Sequence, residues 1–185
     1  MSRRNLISAI LVSLFTGLII AGTFIRIPLP PVPITLQTLF VLLSGMLLPL
    51  SLSVSSVVLY LILGAIGLPV FSSGGGLALL TGPTAGFMFG WLPAVIVCGL
   101  MGKLEFKENK KLEFAYLILT GMLANVALYV PGLLWLGISR HMTVSKTLAV
   151  GLFPFIIGDT IKLVAAAIVT LNTREKIVNL LEKED

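Results

Sequence analysis

The sequence predicts an all-α membrane protein, a compact bundle of six transmembrane helices with both termini cytoplasmic. Composition leads there first. Of 185 residues, 57% are hydrophobic and 11% charged, against roughly 25% charged in soluble domains, and the mean hydropathy is +1.06. Second, apolar runs suited to bilayer crossing, about 20 residues each, recur along the chain with short connections. They fill residues 1–185 as one domain and leave no room for a soluble one. Third, the bases segregate. Arg3, Arg4, Lys103, Lys107, Lys110, Lys111, Arg174, Lys176 and Lys183 fall on one side of a six-helix path, and Arg26, Arg140 and Lys146 on the other. The side richer in Lys and Arg is the cytoplasmic one.

The net charge of +5 is thus a topology signal and not a nucleic-acid footprint. Cys98 is the sole cysteine and His141 the sole histidine, which excludes an intramolecular disulfide and a zinc cluster.

The first helix covers about Leu6 to Ile25. Its apolar run is long for a signal peptide, and Arg26-Ile27-Pro28 follows in place of a small-residue cleavage site, so the helix is retained. Ala9, Ser13, Gly17 and Ala21 recur every four residues and form a stripe where another helix can approach closely. That stripe serves packing within the bundle or docking to a different subunit.

Four prolines between Pro28 and Pro33 remove backbone donors and favour an extended path. Irregular backbone survives in a membrane protein at the surface or beside a cavity, so this segment is a plain loop or a lid. The second helix, residues 34–48, carries Thr35, Gln37 and Thr38 in its first turn. Gln37 donates and accepts, which suits an amide-like ligand or a neighbouring helix. Pro49 ends it, and the third helix follows at residues 50–66 with Tyr60 as its one large polar group.

From Gly67 to Gly82 the chain is glycine-rich, with Gly74, Gly75 and Gly76 consecutive. Glycine permits positive φ and close approach of backbone to a ligand. No Gly-Lys-Ser or Gly-Lys-Thr follows, so this is not a phosphate loop and the chain shows no ATP site.

The fourth helix, residues 83–101, has Pro83 in its first turn and no charge. Lys103 to Glu113 reads as a solvated loop. The fifth helix, residues 114–136, places Asn125 and Tyr129 one turn apart on one face and Trp135 near its end as an interface anchor. After a polar connection, Thr147 to Val150 suggests a short helical turn, and Pro154 starts the sixth helix, residues 154–171.

Asp159 and Lys162 lie inside that last helix, and Asp159 is the only acid in any apolar stretch. Each costs roughly 2.5–3.5 kcal/mol at membrane depth, so such residues are kept for ligands, ions or helix pairing. Asp159 sits five residues past Pro154, about 8 Å into the helix, and Lys162 is one turn deeper on the same face. The pair, the proline segment and the glycine segment converge on the outer side. One acid and one base there describe a capture pocket for a small ligand: Lys162 suits a carboxylate, and Asp159 an uncharged N–H donor. Mutual neutralisation is the plainer role, but Gly158 beside them leaves space where packing alone would prefer bulk.

Three stretches carry a resemblance: Pro30-Pro-Val-Pro-Ile-Thr-Leu-Gln37, then Gly64-Ala-Ile-Gly-Leu-Pro-Val-Phe71 with Gly82-Pro83-Thr84, and Pro154-Phe-Ile-Ile-Gly-Asp-Thr-Ile-Lys162. In this order they resemble the BioY family, the biotin-binding S components of energy-coupling factor (ECF) vitamin transporters. The resemblance implies a six-helix fold, capture of biotin from outside, and docking on a transmembrane T component driven by two cytoplasmic ATPases. It implies Asp159 and Lys162 as biotin contacts, with Gly74 to Gly76 and Thr35 to Gln37 nearby. The first-helix stripe is similar to the family's Ala-x-x-x-Ala docking surface, with Ser13 and Gly17 at positions of the repeat. No cofactor is implied. An S component for another vitamin and a stand-alone ion-coupled carrier are the rival readings. An intramembrane enzyme is disfavoured, because one Asp with one Lys makes neither an aspartyl dyad nor a Ser-His constellation.

Overall fold

The computed structural model describes residues 3–101 and 109–182. Part of the expected loop at Lys103 to Glu113, with Lys103 and Lys107, lies outside the described residues, as does Lys183. Among the described residues the chain forms seven α-helices and one two-stranded sheet. The helices are α1 (Arg3–Phe24), α2 (Gln37–Leu47), α3 (Leu50–Ala65), α4 (Ala85–Met101), α5 (Lys110–Ser139), α6 (Val144–Gly151) and α7 (Phe153–Glu182). The strands β1 (Arg26–Ile27) and β2 (Ile34–Thr35) pair antiparallel, Arg26 opposite Thr35 and Ile27 opposite Ile34.

By length and composition α1, α5 and α7 are the helices able to cross a membrane; α2, α3 and α4 are apolar but shorter. At 11 residues α2 is about 16 Å long, roughly half the hydrocarbon thickness. It is nonetheless central, packing against α1, α3, α4, α5 and α7. Tight helix contacts use glycine where bulk would clash: a Cβ at Gly90 would lie 2.6 Å from the Leu128 carbonyl oxygen, which lets α4 pack closely on α5.

Several buried hydroxyls are satisfied locally, although Thr120 Oγ1 is buried without a partner. Ser44 donates to Val41 O at 2.8 Å, Ser56 to Leu52 O at 2.9 Å and Thr16 to Val12 O at 2.8 Å, so these polar groups need no water inside the bundle. Exposed Leu14, Ile62, Met122, Ile161 and Ile168 leave an apolar outer surface suited to lipid.

Several boundaries differ from the sequence reading. Thr35 is not in the first turn of a helix: Ile34 and Thr35, both β-branched, pair with Arg26 and Ile27 instead. The Leu36 N–H donates to Gly22 O at 3.1 Å and Ile25 O at 3.0 Å, so α2 begins at Gln37. Pro83 lies in the turn before α4. The Ala85 N–H donates to Gly82 O there, at 3.1 Å. The Asn109 side chain accepts from Leu112 N at 3.1 Å and caps α5, so Lys110 to Glu113 are helical rather than loop. The suggested turn at Thr147 is a full helix, α6, capped by Thr143. Finally α7 continues past Leu171 to Glu182, because no Gly or Pro interrupts it and Ile177 and Leu181 still pack on the core. Arg174 and Glu113 approach at 3.9 Å beside this extension.

Candidate functional site

Phe153 opens α7 with Pro154 behind it, and six residues on, about 9 Å along the axis, the helix turns Asp159 inward. Asp159 and Lys162 are 5% and 7% exposed, and Lys162 Nζ is 2.6 Å from Asp159 Oδ1. The i, i+3 spacing puts both on one helix face. From α5, the Tyr129 hydroxyl donates to the other carboxylate oxygen, Asp159 Oδ2. Each oxygen of Asp159 therefore carries one donor and keeps lone-pair capacity, while Lys162 keeps further N–H groups.

These groups sit in a cavity of about 570 Å³, its open mouth included, walled by α2, α3, α4, α5, α7 and the proline segment. A second polar cluster faces them. Thr35 Oγ1 donates to Gln37 Oε1 at 3.0 Å, Gln37 Nε2 to the Tyr60 hydroxyl at 2.8 Å, and Tyr60 to Val70 O at 3.2 Å. The chain of donors fixes the amide orientation of the buried Gln37.

Aromatic rings supply the remaining wall. Tyr60 lies 5.4 Å from Trp91 between ring centroids, and Phe87 stands edge-on to Tyr129 at 6.1 Å. Phe155, Leu128 and Met88 complete an apolar lining. Flat apolar rings with a few fixed donors and acceptors suit a small, partly apolar ligand bearing an amide-like group. The proline segment is more than a connection: Val32 and Pro33 line the cavity, and β2 places Thr35 there.

Of the residues singled out from sequence, Asp159, Lys162, Tyr129, Gln37 and Thr35 converge on this cavity. Asn125 is not among its lining residues. It lies one turn before Tyr129 on α5, and its Oδ1 is buried without a hydrogen-bond partner. Gly74, Gly75 and Gly76 are likewise outside the lining, which takes Ser72 from their segment. They shape the backbone instead: Gly74 and Gly76 have φ of 121° and 109°, and Gly76 N–H donates to Gly64 O at 2.7 Å. Trp135, expected at a membrane interface, donates from Nε1 to Gly82 O at 2.8 Å and so ties α5 to the segment before α4.

Sequence reasoning passed over Trp91, Phe87 and Phe155 as site residues and noted Tyr60 only as a polar group. Trp91 carried a usable signal: it is one of two tryptophans and lies mid-helix, away from the interfaces that tryptophan favours.

The first-helix stripe is settled in one respect. Ala9, Ser13, Gly17 and Ala21 are all exposed, and a Cβ at Gly17 would meet nothing within 4 Å. The stripe does not pack within this bundle. A further hollow between α5 and α6, lined by Leu134, Ile138, Met142 and Leu148 among others, contains no ionisable group.

Helices, apolar surface and buried ion pair together define a membrane-embedded protein with a small-molecule pocket at one end of its bundle. The chain belongs to the BioY family, whose sequence model matches residues 1–179. It is 39% identical over 173 residues to the biotin transporter BioY of Thermotoga maritima, covering 93% of this chain and 96% of that one. The biotin transporter BioY of Rhizobium etli is 37% identical over 175 residues, with 91% of each chain covered. The fold matches a crystal structure of the S-component for biotin from an ECF-type ABC transporter, with a TM-score of 0.79 and 28% identity, over 95% of this chain and 94% of that one.

Proposed function

We propose that this chain is the biotin-capturing S component of an ECF-type vitamin transporter. It holds biotin in the cavity above Asp159 and Lys162 and passes it inward together with a T component and two ATPases. The observation that carries this reading is the buried Asp159–Lys162 pair, bonded by the half-buried Tyr129, in an aromatic cavity of a chain related over nearly its whole length to biotin transporters. Biotin's ureido ring brings N–H donors for the free lone pairs of Asp159 and a carbonyl for the free N–H groups of Lys162. Its bicyclic body suits the wall of Tyr60, Trp91 and Phe87.

In this reading the chain is one domain that crosses a prokaryotic cell membrane six times, both ends cytoplasmic and the cavity facing out. The charge distribution supports that orientation: the bases near α5's start and α7's end outnumber those near the cavity. The chain performs no catalysis and hydrolyses no ATP, in keeping with the lack of a phosphate-loop motif. Asp159, Lys162, Tyr129, Gln37 and Thr35 contact biotin, and Gly74 to Gly76 shape the adjoining wall. The exposed stripe of Ala9, Ser13 and Gly17 docks on the T component.

Equilibrium binding to the purified, detergent-solubilised chain across a panel of vitamins tests this. Biotin should bind far more tightly than the rest. Preference for another vitamin, or no binding of any, overturns the assignment.

A further inference from the structure

Within the cavity, Lys162 is the one base among the lining residues, and it is held 2.6 Å from Asp159 at the buried floor. On the reading just given, a ureido ring placed on Asp159 occupies that same floor. Biotin's carboxylate ends a flexible chain on the far side of the bicycle, so it points toward the mouth, and Lys162 cannot serve both ends.

The hairpin over the cavity places a second base there. Arg26 of β1 is directly opposite Thr35 of β2 in the antiparallel register. Directly opposed residues share one face of a ladder, with Cβ atoms about 4.5–5.5 Å apart. Thr35 is on the cavity side: it lines the cavity, and its Oγ1 donates to Gln37. The Arg26 side chain therefore rises from the same face, beside Thr35, and it is exposed where Asp159 and Lys162 are buried. Among the described residues Arg26 forms no ion pair. The hairpin thus carries an uncommitted guanidinium beside Thr35, just outside the lining residues, and guanidinium geometry matches a carboxylate bidentately.

We propose that Arg26 is a specificity-determining residue that holds the carboxylate of the bound ligand at the cavity mouth. This inference rests on the biotin reading and adds to it the group that distinguishes the acid from its neutral derivatives. Two cations at different depths then divide the ligand, Lys162 at the ureido end and Arg26 at the carboxylate end.

Equilibrium binding of biotin and of its uncharged carboxamide, biotinamide, to the purified full chain and to Arg26→Gln tests it. An exposed ion pair is worth up to about fivefold in affinity. The unaltered chain should prefer biotin by about that factor. Arg26→Gln should weaken biotin to the level of biotinamide and leave biotinamide unchanged, and Arg26→Lys should restore part of the preference. A preference that survives Arg26→Gln overturns the proposal, as does equal weakening of both ligands, which would mark Arg26 as a support of the hairpin only. If the unaltered chain binds neither compound, the biotin reading itself fails, a result distinct from loss of the preference alone.

Discussion

In the proposed role Asp159 does two jobs that a single substitution would confound. It neutralises Lys162, and it offers lone pairs to a ligand. Removing one member of a buried ion pair leaves the other uncompensated at a cost of about 3–5 kcal/mol, whereas replacing both by apolar groups is often neutral. Asp159→Asn should therefore lower thermal stability in detergent and weaken biotin binding, the latter by about 10- to 100-fold, the range for a hydrogen bond to a charged group. Asp159→Asn combined with Lys162→Met should recover the thermal stability but not the affinity. If the double variant regains biotin binding, the pair is structural and the ligand contacts lie elsewhere. The two charges were legible in the sequence because an ionisable group in an apolar run has few reasons to persist. Most of the aromatic wall was not: Phe87 or Phe155 in an apolar helix reads the same whether it faces core, lipid or cavity, and only Trp91, mid-helix, carried a signal. Asn125 marks the opposite limit. Its i, i+4 spacing from Tyr129 gives a shared face, but that face is wider than the cavity and only Tyr129 reaches it.

Among the elements, α1 shows what spacing leaves open. Four small residues at intervals of four define a stripe, yet a stripe inside a bundle and one left for a partner have identical sequences. The exposure of Ala9, Ser13 and Gly17 removes packing within this bundle, since α1 buries Leu11, Phe15 and Ile19 against its neighbours instead, and docking is the proposed role. Ala9→Leu with Ser13→Leu adds bulk only to the outer surface. The variant should fold and bind biotin as before, yet fail to co-purify with a T component in detergent. Retention of the complex would place the docking face elsewhere. The hairpin was half legible. Its prolines predicted an extended path, but β1 and β2 are two residues each, too short for alternation to register, and so Thr35 reads as the start of a helix.

For the molecule as a whole, the crossing count and the energy source are linked. Length alone gives three spanning helices, α1, α5 and α7, and the proposed six-crossing path needs α2, α3 and α4 to traverse as shorter pieces around the cavity. The central position of α2 makes this workable: an 11-residue helix held on several sides by other helices exposes little backbone to lipid. A bundle built in this way holds its buried ion pair, Asp159 and Lys162, toward one end. Below Asp159 and Lys162, α7 turns Leu163, Ala166, Ala167 and Thr170 into the core, and among the described residues no path of buried charged groups continues beneath the ion pair. A carrier working alone would need such a path, or a rearrangement driven by a coupled ion. Liposomes that contain only this chain should therefore bind external biotin without accumulating it, whether or not a proton or sodium gradient is imposed. Adding the T component and the ATPases with internal ATP should start accumulation. Gradient-driven uptake by the chain alone would contradict the capture role and make this bundle a carrier in its own right.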